Sequence, residues 1–99
     1  MNVFINKLIN EIIKGTKEQV KLSGNLFEND YEERLKSILT RELSKPSPQQ
    51  SKTPTQLVND FLFEVFDTSF NLTPVSFGEK GHKLIMEWGI QKSSDMNER

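Results

Sequence analysis

Three carboxylates, Asp60, Glu64 and Asp67, fall at spacings of four and three and so share one side of any helix that carries them. Such a row has the chemistry to hold a divalent cation or to move a proton, with mutual repulsion raising the middle group. The same pattern also marks the solvated edge of a helix whose other side is buried, and that is the expectation here. His82 is the single histidine and the chain has no cysteine, so neither a nucleophilic triad nor a zinc site can be assembled. Gly78-Glu79-Lys80-Gly81 lacks the spacing of a phosphate-binding loop. Lys7, Lys14, Lys17 and Lys21 recur along the first segment, Lys7 and Lys14 on one helical face, and a nucleic-acid backbone could use them. Glu11 and Glu18 interleave, which favours a solvated face. No catalytic residue, metal ligand or cofactor-binding residue is assigned, and no cofactor is expected.

The balance of charge agrees. With 13 basic and 14 acidic residues the formal charge is −1, which gives no general attraction to nucleic acid or anionic lipid. Leu, Ile, Val and Phe make up 29 of the 99 residues, enough for most of the chain to fold as one small domain over residues 1–92. The absence of cysteine fits a reducing compartment or an indifferent one. Val3-Phe4-Ile5 and Leu8-Ile9 are interrupted by Asn6, Lys7, Asn10 and Glu11, so no apolar run reaches the length of a signal peptide or membrane span. A cytoplasmic protein is expected. Asn71-Leu72-Thr73 matches the glycosylation pattern, which carries no weight without a secretory signal. There is no alanine, and Lys outnumbers Arg ten to three, as in a low-GC genome.

The elements that hold these residues are written with unequal clarity. Phe4, Ile5, Leu8, Ile9, Ile12 and Ile13 have helical spacing and predict a helix over about 3–14, ended by Gly15. Residues 16–27 read equally as strand or loop, with a turn at Gly24-Asn25. A second helix over about 30–45, capped by Asn29 or Asp30, buries Leu35, Ile38, Leu39 and Leu43 and stops at Pro46. Residues 46–53 form a flexible linker. Thr53-Pro54-Thr55-Gln56 then writes a helix start in three ways: a capping threonine, proline at the first position and glutamine completing a capping box. The helix it opens, about 54–68, is apolar around most of its circumference. After it the period changes to two: Val75 and Phe77, then Leu84, Met86 and Trp88, predict a C-terminal β-hairpin of strands about 73–78 and 82–90. Residues 93–99 read as a disordered tail. The expected class is therefore α+β, three helices and one hairpin, mainly helical.

A helix bearing Glu64 followed by two strands, over Gln56 to Ile90, resembles the entrance to a restriction-type nuclease domain, with Glu64 where such families often carry a helix acid. The defining Asp and the Glu-x-Lys of the following strand are absent: Glu87-Trp88-Gly89 has no lysine in place, and Asp67 precedes the strands. The resemblance implies a truncated copy without cleavage activity.

The broad apolar face carries the functional expectation. Two amphipathic helices and a small hairpin leave little to cover a helix that is greasy on nearly every side, so Phe63, Phe66, Phe70 and Trp88 are the expected interaction surface; the alternative is a monomer core that contains every aromatic. The chain reads as a non-enzymatic protein that binds another protein or itself. A nucleic-acid accessory role for the N-terminal lysines is the alternative, and no membrane partner is expected.

Overall fold

The computed structural model describes residues 3–46 and 52–97, with side chains as far as Ser93. Its elements, in order, are α1 (Val3–Leu22), α2 (Asn29–Leu43), α3 (Pro54–Phe66), a 3-10 turn (Pro74–Phe77) and α4 (Gly78–Asn97). No strand occurs among the described residues, so the class is all-α and the expected hairpin is replaced by α4. The two strands required by the nuclease resemblance are absent with it.

The first helix runs through Gly15, the end its apolar pattern predicts, as far as Leu22. Gly24, at φ +85°, is the true terminator. The amide of Asn25 donates to Val20 O at 3.1 Å and that of Gly24 to Lys21 O at 3.0 Å, the two bonds of a Schellman closure. Gly15 lies within the helix, and Thr16 beside it is fully buried, its hydroxyl donating to Ile12 O at 2.7 Å. That bond lets a polar β-branched residue sit in the core without an unsatisfied group.

The second helix begins one residue earlier than expected, with Glu28 at the N-cap in place of Asn29 or Asp30. Leu35, Leu39 and Leu43 form its buried stripe. The start of α3 is as its sequence dictates: the Gln56 amide donates to Thr53 Oγ1 at 3.2 Å and the Thr53 amide to Gln56 Oε1 at 2.9 Å. Thr53→Ala removes the first of these and is expected to cost about 1 kcal/mol in chemical denaturation. Asp67 ends α3 in the left-handed region at φ +55°.

The residues expected to form the hairpin have a helical reading that their alternation hid. Gly81, Ile85 and Trp88 point inward at spacings of four and three, with Leu84 half-buried beside them, whereas Met86 and Ile90 point out. Pro74 opens the 3-10 turn, Gly78 at φ +82° redirects the chain, and α4 follows. Its backbone continues through residues 93–97, the first part of the expected tail; residues 98–99 and the linker residues 47–51 lie outside the described residues.

The helices are ordered α3, α2, α1, α4 across the molecule. Close backbone approaches join α1 to α2, α2 to α3, and α1 to both the 3-10 turn and α4; α3 and α4 make no comparable approach. The core runs along the closed seams, through Leu8, Ile12, Leu35, Leu39 and Leu62, all fully buried. At the α1/α4 seam the ring and backbone of Phe77 lie between two glycines. A Cβ on Gly15 would stand 2.8 Å from Phe77 Cα, and one on Gly81 would stand 2.7 Å from Phe77 Cβ. Both glycines are therefore required by contact, within helices that alanine would otherwise favour. Gln19 adds a polar tie across the same seam, donating from Nε2 to Ser76 O at 3.0 Å.

Candidate functional site: the open seam between α3 and α4

The carboxylate row behaves as a solvated edge. Lys52 Nζ lies 2.5 Å from Asp60, and Arg34 lies 3.4 Å from Glu64; Asp67 is exposed at the helix end. The bond to Asp60 holds the Lys52 ammonium protonated above its usual range. Among the described residues no three acidic or histidine side chains converge as a metal site. Of the N-terminal lysines, Lys17 is engaged by Glu32 at 2.9 Å, while Lys7, Lys14 and Lys21 point outward along α1. His82 is half-buried on α4 and not in a turn.

The four expected interface aromatics are not gathered into one patch. Phe66 and Phe70 meet at 5.8 Å between ring centroids, and Tyr31 stands edge-on to Phe66 at 5.6 Å. Phe27 continues the series at 6.0 Å from Tyr31. These rings are half-buried and close the α2/α3 end of the bundle. Phe63 stands apart, 52% exposed, and Trp88 is buried on the inner side of α4. The greasy circumference of α3 is mostly covered by its own chain: Leu57, Val58, Phe61 and Leu62 are buried, Val65 and Phe66 pack against the core, and only Phe63 is left standing in solvent.

The exposed apolar surface that matters lies elsewhere, at the seam that does not close. A groove of about 1010 Å³ runs between the first turns of α3, the segment Leu72–Pro74 and the flank of α4 from buried Ile85 and Trp88 to exposed Met86 and Ile90. Thr55, Asn59 and Leu72 form one wall. Ile85, Met86, Gly89 and Ile90 form the other, with Met86 50% and Ile90 64% exposed at the rim. None of its fourteen lining residues is charged, in a chain that is 27% Asp, Glu, Lys and Arg. The two buried side-chain polar atoms without a hydrogen-bond partner among the described residues, Thr55 Oγ1 and Trp88 Nε1, belong to residues of this lining.

Local structure sets the shape of the groove. The Asn59 side chain pairs with both backbone groups of Leu72: Nδ2 donates to Leu72 O at 3.0 Å, and Leu72 N donates to Oδ1 at 2.9 Å. This clamp fixes the chain after α3 as a wall. On the opposite side Lys92 lies 5.9 Å from the Trp88 ring and reaches Lys45 O at 3.4 Å, tying α4 to the end of α2. Gly89 differs from the other two glycines inside helices. A Cβ built on it meets nothing within 4 Å. Within a single copy, at dilution where any association is absent, Gly89→Ala is therefore expected to raise stability by about 0.5–1 kcal/mol through helix propensity, read as a higher denaturation midpoint.

Sequence patterning gave no sight of this groove because it depends on which seam of the bundle stays open. Met86 and Ile90 carried the only signal, as apolar residues on the polar side of a helix, and that signal required the segment to be recognised as a helix. No family model, curated protein or solved structure matches the chain. No helix of the described residues is long and apolar enough to cross a membrane.

Proposed function

We propose that the protein works by holding another polypeptide, a second copy or a different chain, in the α3/α4 groove, without catalysing a reaction and in the cytoplasm. The observation that carries this reading is an uncharged apolar channel with Met86 and Ile90 exposed along its rim. Depletion of charge with an apolar floor and a Met-containing rim is the composition of an interface core, and a groove beside a helix is a recurring way to seat an amphipathic segment. The pairing of Asp60 and Glu64 with Lys52 and Arg34 supports the non-enzymatic part, since it leaves those acids occupied in ion pairs. A lack of cysteine supports the reducing compartment. The docking surface proposed is thus moved from the Phe63 end of α3 to its first turns and the facing flank of α4.

The test is a photo-crosslinking amino acid placed at Met86 and, as control, at Lys36 on α2, in cells that express the protein. Discrete polypeptide adducts at Met86 and none at Lys36 are expected. Equal labelling at both positions, or none at Met86, overturns the reading.

A further inference from the structure

We infer that the occupant of the groove is a second copy of this chain, docked α4 against α4 about a two-fold axis near Gly89. This rests on the docking reading above and goes further by naming the partner.

Three observations lead there. The first is the contrast among helix glycines. Gly15 and Gly81 are required by Phe77 of the same chain, whereas nothing in the chain occupies the space beside Gly89. A glycine inside a helix costs stability and here returns no internal contact, but it lets a second backbone approach closely. The second is self-complementarity. Met86 and Ile90 project from the same helix face that is hollow at Gly89, three residues after one and next to the other. A two-fold contact needs a projection and a recess on one patch, so that each copy fills the other. The third is charge. Two identical surfaces bring like charges together wherever the patch is charged, and among the described residues this lining contains no charged one. A partner of different sequence would gain from complementary charge, which the groove does not offer; an identical copy gains from its absence.

The area required is modest. A standard interface takes about 800 Å² from each partner, roughly an eighth of the 6419 Å² exposed by the chain. Trp88, the single tryptophan, lines the groove and reports on its occupancy.

The experiment is sedimentation equilibrium of the full chain over a wide concentration range, with Trp88 emission followed on dilution. A reversible dimer is expected, with an emission change that tracks dissociation. Gly89→Leu, which fills the recess, and Met86→Asp, which puts like charges face to face, are each expected to weaken the dimer by about tenfold or more, with circular dichroism unchanged. Ser37→Asp, exposed on α2 and outside the groove lining, leaves it intact. A monomer at every concentration overturns the inference, as does a dimer indifferent to Gly89→Leu and Met86→Asp or broken by Ser37→Asp. If the chain is monomeric and the Met86 crosslinker still captures a different polypeptide, the second-copy inference falls and the docking reading stands. If Met86 captures nothing, both fall.

Discussion

Phe77→Ala is expected to destabilise the protein by about 3–5 kcal/mol, as for other buried aromatic truncations, with the loss read from chemical denaturation. Phe77 is 4% exposed and sits in the one place where two helix backbones have been cleared of side chains to receive it. Neither Gly15 nor Gly81 can refill the space, so the cavity term is added to the transfer term. The reciprocal change, Gly15→Ala, drives a methyl to 2.8 Å from the Phe77 backbone and is expected to cost about 1–3 kcal/mol although alanine is the better helix former. The two are coupled. In Gly15→Ala with Phe77→Ala the added methyl occupies part of the vacated volume, so the double variant is expected to be more stable than the sum of the single losses allows. Strict additivity would show that the contact between them does not set the seam.

Asn59→Ala is expected to cost about 2–3 kcal/mol, because it strands both the N–H and the C=O of Leu72, whose residue is 8% exposed. The isosteric Asn59→Asp separates the two bonds. Its carboxylate still accepts from Leu72 N but faces Leu72 O with no proton to donate. The protonated acid restores the second bond, so folding holds this carboxyl above its ordinary pKa. A raised folded value means the stabilising contribution is present at pH below the unfolded pKa and is lost as pH rises through the folded one. Asn59→Asp is therefore expected to approach wild-type stability in acid and to fall short at neutral pH. Equal deficits at both would show that the Leu72 carbonyl is not the partner that matters.

How much of this was legible depends on whether a signal was local. The start of α3 was, since Thr53, Pro54 and Gln56 satisfy one another within a single turn. The stripes of α1 and α2 were as well, because buried leucines and isoleucines recur at helical spacing. The end of α1 was not: Gly15 and Gly24 both look like terminators, and only the position of Phe77, some sixty residues on, explains why Gly15 stays helical. The C-terminal half failed for a related reason. Leu84, Met86 and Trp88 alternate, but Met86 is exposed while Ile85 is buried, and the glycines at 81 and 89 lower the helical propensity that would have argued otherwise. Trp88 was picked out as an interaction residue and lies in the lining of the groove, yet the groove itself arises from α4 siding with α1 and leaving α3 uncovered, an outcome no short stretch of sequence encodes.

The ring of Phe77 acts as an indexing pin. Phe77 leads directly into α4 and travels with it, so sliding α4 along α1 by one position would bring Lys14 or Thr16 to the place Gly15 occupies and jam a side chain against that ring; the helix is admitted at one notch only. The gap on α4's other flank therefore inherits its width from a joint on the far side of the helix, and loosening that joint should detune whatever the gap receives even though no residue touching the guest has changed.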